Sequence, residues 1–327
     1  EGGLVKAFES KAIERILTEL KSNMLIAINK LNTNTENTLD IKELKRRFNT
    51  NYRDSSLFAE KARLLQSIWR VEKGYNFETK KYGNFLESDF ARETGANFLT
   101  KNIFKIVQNE VLSKHKVGKV IQEPRIWNNL LSSQPLAFNM FGELKNNLDL
   151  ATKIFQDLYP QRNILKVSVI DFEYSPGRRD PKYTGDRSAL DVFVSYKTND
   201  KLKGFFGIEV KYSESLIEKV KENGNDKYRD ISEKSEVFDI SKFDELNKKP
   251  IQQIWRDHLL CLSLFITNKD YDIGDFIYLY PTDNNECENA IKKYQETFIT
   301  NRDNYFIPLT LEKLIEITKK YCSENWV

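Results

Sequence analysis

At 327 residues, 30% of them charged, the chain can hold one sizeable core plus a smaller module. Its 51 basic and 48 acidic residues leave a net charge of +3, which excludes a uniform positive coat, so contact with nucleic acid has to rely on local patches such as Lys42 to Arg47. Three cysteines (Cys261, Cys287, Cys322) without Cys/His zinc spacing argue against a disulfide framework or a structural zinc. No apolar run reaches membrane-spanning length, so the chain reads as cytoplasmic.

The opening Glu1-Gly2-Gly3 has no initiator methionine, as in a trimmed chain. Leu4, Phe8, Ile13, Leu17, Leu20, Met24, Ile28 and Leu31 then recur as one amphipathic helix, and Asn32 to Thr38 is a polar link. Asp54-Ser55 could cap a second helix carrying Leu57, Leu64, Leu65, Ile68 and Trp69, which Gly74 stops. Residues 1–85 thus form a helical region that braces the rest, dimerises or meets a partner. Residues 98–113 supply another helix. Over about 135–159, Phe141, Leu144, Leu148, Ala151, Phe155 and Leu158 predict one helix, with Ser132 and Ser133 as capping candidates, Pro135 in its first turn and Pro160 ending it. Glu143 lies on the flank of that apolar stripe, where it could reach a sheet edge or remain a solvated surface charge.

Residues 163–174 (NILKVSVIDFEY) read as a strand that Glu173 ends, either as a ligand or as a strand-end charge. The loop 175–187 mixes breakers with Arg178, Arg179, Lys182 and Arg187; such a flexible basic loop could grip phosphates or simply connect. Segments 189–198 and 205–212 are rich in Val, Ile, Phe and Tyr, with Asn199-Asp200 and Gly204 between them, and predict an antiparallel pair. A turn centred on Asp200 sets Asp191 opposite Glu209, with Lys211 on the same face and Ile208 and Val210 buried on the other. Two carboxylates and a lysine on one sheet face are what a Mg²⁺-dependent phosphodiester hydrolase needs. In that reading Asp191 and Glu209 hold the ion in a shallow site, and Lys211 holds or helps deprotonate a water. The same Glu-x-Lys pattern also occurs as a solvated surface pair.

The lysine-rich run 213–249 shows little periodicity. Pro250 opens a helix through about Phe265 with Ile254, Trp255, Leu259 and Leu262 inward; Gln253 and Arg256 lie off that stripe, placed to orient the lysine or contact a phosphate, and His258 reads as a satisfied buried histidine. Asp275–Tyr280 has the apolar run of a buried strand, and Leu309 to Tyr321 is a closing helix. The alternation predicts an α/β fold, a mixed central sheet flanked by helices. No P-loop or G-x-G-x-x-G stretch supports nucleotide handling.

Asp191 with Glu209-Val210-Lys211 resembles the PD-(D/E)xK nuclease superfamily, with Leu190 in place of the usual proline. Ser132-Ser133-Gln134, Phe138 to Glu143, Glu173-Tyr174-Ser175-Pro176-Gly177 and Gln253-Ile254-Trp255-Arg256 are similar to a family of bacterial restriction-endonuclease-like proteins within it. The resemblance covers residues 86–327 and implies a restriction-endonuclease-like core there, behind the helical region 1–85. It implies further that Glu143 matches a first-helix glutamate serving as an additional metal or water ligand, joined by Glu173. It implies Mg²⁺ as cofactor, with Mn²⁺ able to substitute, nucleic acid (DNA) as partner, and a role in restriction or antiviral defence, with the N-terminal helices open to a homodimer or a defence-system partner. The alternative is a non-catalytic nucleic-acid-binding or scaffold module that keeps the fold; intact Asp191, Glu209 and Lys211 count against it.

Overall fold

The computed structural model describes residues 41–79, 81–216, 226–267 and 270–321, so the helix predicted over Leu4–Leu31 and its polar link lie outside the described residues. Helix α1 spans Ile41–Arg47, and α2 spans Leu57–Glu72. The hydroxyl of Ser56 accepts the Ala59 N–H at 3.1 Å and caps α2. Asp54, predicted at that cap, pairs instead with Arg63 at 2.7 Å. Gly74 (φ +70) lies just past the helix end, as predicted. Helices α3 (Ser88–Thr94), α4 (Lys101–Val117) and the short α5 (Arg125–Asn128) follow.

The single helix predicted over 135–159 is two: α6 (Ser133–Asn146) and α7 (Leu148–Leu158). They part at Asn147 (φ −132, ψ 80), whose side chain accepts the Leu150 N–H at 3.0 Å and caps α7. The apolar period runs through the break unchanged, but an asparagine offers its own backbone a local hydrogen bond that competes with helix continuation.

Strands β1 (Ile164–Tyr174), β2 (Leu190–Thr198) and β3 (Lys203–Val210) form an antiparallel meander. Helices α8 (Asp226–Ser235), α9 (Phe243–Leu246) and α10 (Gln252–Thr267) lead to β4 (Ile273–Tyr280), then α11 (Asn285–Gln295), β5 (Phe306–Thr310) and α12 (Leu311–Tyr321). β4 and β5 add parallel to β3, giving a five-stranded mixed sheet in the order β1-β2-β3-β4-β5. The fold is therefore α/β, with a mixed sheet flanked by helices. The sequence did not mark α8, because Tyr228 and Ile231 alone carry its buried apolar face within a lysine-rich run. It also merged β5 with the closing helix; Pro308 is tolerated in β5 because that strand is an edge.

Each sheet face has its own core. On one, Phe172, Val192, Val194, Phe206, Ile208 and Val210 pack against α6, α7 and α12; on the other, Phe193, Phe205, Phe276 and Tyr278 lie under α10 and α8. Strand β3 is covered on both faces, and Gly207 permits it: a Cβ there would lie 2.3 Å from Cys261 Sγ of α10 and 2.7 Å from Leu190 Cδ1. At the β1 edge, side chains of α6 and α7 take up backbone groups. Thr152 accepts from Val167 N at 2.9 Å, Gln156 donates to Ile164 O at 2.7 Å and Lys145 donates to Ile170 O at 2.9 Å. No helix among the described residues is long and apolar enough to cross a membrane.

Candidate active site

The hairpin register places the acidic residues. Val192 pairs with Ile208, so the next step of the ladder sets Asp191 against Glu209. On the other side, the pairs Phe172–Val192 and Tyr174–Leu190 bracket Glu173 opposite Asp191. Three carboxylate-bearing positions thus form one row across β1, β2 and β3. Glu173 interrupts the alternation of its strand: Phe172 stacks on Phe138 of α6 at 4.1 Å, whereas Tyr174, two residues on, stacks on Phe193 at 4.0 Å on the α10 face. The cause is a backbone φ of 49° at Glu173, a left-handed conformation that costs a non-glycine residue about 1–3 kcal/mol. Its carboxylate accepts a hydrogen bond from Gln134 of α6 and lies 3.8 Å from the Arg178 guanidinium.

Glu209 and Lys211 share the α10 face and are each only 6% exposed, so the site is deep rather than the shallow one predicted. Lys211 Nζ donates to Glu209 Oε1 at 2.9 Å, and Gln253 Nε2 of α10 donates to the same oxygen at 3.2 Å. Lys211 N donates to Leu279 O at 2.8 Å, carrying the parallel ladder one residue past β3. Asp191 Oδ2 accepts the Val210 N–H at 2.8 Å.

Burial, then Glu209 and Glu173, push the Asp191 carboxyl well above the ordinary range; Lys211 and the Val210 N–H oppose this without cancelling it. Glu173 is pushed up to about 7, chiefly by burial, despite the counteracting Gln134 hydrogen bond and Arg178 charge. Burial alone would lower Lys211, but Glu209, Glu214 and Asp257 override it and hold the ammonium above the usual lysine range. Lys211 is therefore a fixed cation here, suited to donate hydrogen bonds and stabilise negative charge rather than to take a proton.

Other predicted residues are dispersed. Glu143 stands nine residues beyond Gln134 on α6, about 13 Å along the helix axis by helical rise. It accepts from the Thr100 hydroxyl at the start of α4. The basic loop is pinned rather than flexible: Arg178 Nη1 donates to Arg187 O at 2.6 Å, Arg179 N donates to Asp186 O at 2.5 Å, and Asp186 accepts from Ser188, Thr184 and Tyr228. Arg178 turns inward to Glu173, while Arg179, Lys182 and Arg187 are exposed. Arg256 lies 3.8 Å from Asp257. His258 is fully buried, with Nδ1 2.8 Å from the Tyr294 hydroxyl; burial pushes it down to about 3, leaving it neutral.

Three side chains that act on the site went unassigned in the sequence: Gln134, Glu214 and Asp257. Asp257 is 2% exposed, one helical turn after Gln253, and burial followed by Glu209 pushes its carboxyl up. The i, i+4 spacing of Gln253 and Asp257 on a helix behind the sheet was the available signal.

Among the described residues no group of three His, Cys, Asp or Glu side chains is drawn together tightly enough to cage a metal ion. The donor chemistry nonetheless suits a hard divalent cation. Asp191 and Glu209 offer oxygen only, and Asp191 and Glu173 are each held up partly by the charge of Glu209, a repulsion that a cation relieves. Residues 52–327 match the family model of the PD-(D/E)XK nuclease superfamily. No curated protein and no solved structure matches the chain. The matched span takes in all five strands and the carboxylate row and begins ahead of α2; the chain belongs to the PD-(D/E)XK nuclease superfamily.

Proposed function

We propose that this protein is a divalent-cation-dependent nuclease that hydrolyses phosphodiester bonds of DNA in bacterial restriction or antiphage defence, acting in the cytoplasm. The observation that carries the reading is the Lys211–Glu209 hydrogen bond buried beside Asp191, a charge cluster too costly to bury as decoration. Asp191 and Glu209 would hold Mg²⁺, with Mn²⁺ as substitute, and Glu173 stands nearby as an assisting carboxylate. Bound there, the cation would acidify a water and neutralise charge on the phosphorus oxygens. Lys211 orients that water and stabilises the added negative charge. Gln253 fixes the Glu209 carboxylate from α10. Glu143, tied to Thr100, supports α6 rather than the reacting atoms.

Arg178 and Arg256, whose Nη2 and Nε atoms face Glu173 and Asp257 at 3.8 Å, would place guanidinium charge beside the carboxylates, where it can balance phosphate oxygens. The exposed Arg179, Lys182 and Arg187 would follow the backbone on either side of the cut. The alternative, a nucleic-acid-binding module without turnover, draws on the same Lys211–Glu209 bond, because it occupies a donor oxygen.

The two readings separate when purified protein is incubated with plasmid, linear and single-stranded DNA and with RNA, in Mg²⁺ or Mn²⁺ and then EDTA. Cleavage that needs the cation and falls at least ~10²-fold in Lys211→Ala is the expected result. Binding without cutting in every condition, equal in wild type and variant, would establish the module instead.

A further inference from the structure

Glu214, three residues beyond Lys211, lies outside the carboxylate row, yet its carboxylate joins the two halves of the site. Oε1 accepts the Ser133 N–H at 2.6 Å and lies 3.4 Å from Arg125 Nη2; Oε2 accepts the Tyr212 N–H at 3.0 Å. Ser133 opens α6, and its predecessor Ser132 makes no side-chain cap bond, because the Ser132 hydroxyl accepts from Arg125 Nε at 2.9 Å. The predicted serine cap is thus supplied from another part of the chain. A carboxylate on the first free N–H of a helix satisfies that donor and complements the helix dipole.

The next residue of α6 is Gln134, which holds the Glu173 carboxylate. On the other side, Tyr212 directly follows Lys211, and all its polar groups are engaged. Its N–H goes to Glu214, its carbonyl accepts from Asn284 Nδ2 at 2.9 Å, and its hydroxyl accepts from Gln66 Nε2 at 2.9 Å. Lys211 has already left the antiparallel meander, so its main chain is fixed by Leu279 O and by whatever holds Tyr212.

We propose that Glu214 is a positioning residue, a bridge that sets the Lys211-bearing end of β3 against the start of α6 and so fixes Lys211 and the Gln134–Glu173 pair relative to one another. This rests on the nuclease reading above for its consequence in catalysis, but the mechanical coupling can be tested without it.

The experiment compares wild type, Glu214→Ala, Glu214→Gln and Ser133→Pro in the full chain. Ser133→Pro removes the N–H that Glu214 accepts, along with the serine hydroxyl, at a helix position that tolerates proline. Amide hydrogen exchange should quicken over residues 209–214 and also over 132–139 in Glu214→Ala and Ser133→Pro. In cleavage assays well below the thermal transition, both should lower kcat about 10- to 100-fold with KM within about twofold, as displacement of a catalytic group does. Glu214→Gln keeps one acceptor oxygen and turns an NH2 group toward the other N–H, so it can hold only one side of the bridge and should lose kcat nearly as far as Glu214→Ala. A folded Glu214→Ala with wild-type kcat, or faster exchange confined to one of the two segments, overturns the bridge. If Glu214→Ala does not fold, Ser133→Pro decides. Wild-type protein that cuts nothing with either cation sinks the nuclease reading, while the exchange pattern still decides the bridge.

Discussion

Glu173 combines a left-handed backbone with a carboxyl pushed up to about 7, and both bear on how the protein responds to pH. Because its folded value lies above the ordinary 4.5, the folded state binds this proton more tightly than the unfolded chain does. The stabilisation is complete below the unfolded value and is lost as pH rises through about 7. Asp191 and Asp257, both raised, act in the same direction. Without divalent cation, calorimetry should therefore show wild type losing stability from about pH 5 to about pH 8, with Glu173→Gln removing roughly 1–3 kcal/mol of that loss. Parallel curves for the two proteins would show that Glu173 is not the titrating group. At this scale the sequence was legible where geometry is periodic: alternation and a short turn were enough to align Asp191, Glu209 and Lys211. It offered Glu173 as a ligand or a strand-end charge but not its left-handed turn, because a positive φ at a non-glycine residue leaves no mark in the chain. Glu143 looked equivalent to a ligand because its bond to Thr100 depends on how two distant helices meet.

At the scale of elements, the closeness of α10 to β3 matters most, since α10 carries Gln253 and Asp257 to the buried Glu209–Lys211 pair. Gly207→Ala would place a methyl 2.3 Å from Cys261 Sγ. Such overpacking should cost about 1–3 kcal/mol and lift α10, lowering both the thermal midpoint and cleavage. Adding Cys261→Ala should return part of each; a double variant no better than the single one would place the fault elsewhere. The hairpin, α10 and β4 were readable from apolar runs bounded by turn residues. Helix α8 and strand β5 were not, being short elements whose burial comes from neighbours rather than from their own pattern. The break at Asn147 was hidden for the opposite reason, since the apolar period continues straight across it.

For the whole molecule, the family match from residue 52 agrees with a physical contact. Gln66 of α2 holds the Tyr212 hydroxyl, and the Phe58 ring lies 6.5 Å from that of Tyr212. The predicted separation at residues 85 and 86 could not register this, because nothing in a helical periodicity says which surface the helix will cover. Against a chain of residues 41–327, residues 86–327 should fall by several degrees in thermal midpoint or fail to fold, as seen by circular dichroism; equal midpoints would make α2 an appendage. The margins of the sheet carry a last implication. With three main-chain groups of β1 already engaged by Thr152, Gln156 and Lys145, and Pro308 lacking an amide hydrogen on the opposite rim, little is left for a visiting strand to zip onto. Among the described residues, growth of the sheet by an added strand, the usual route to fibrils, is thereby made less favourable at both borders.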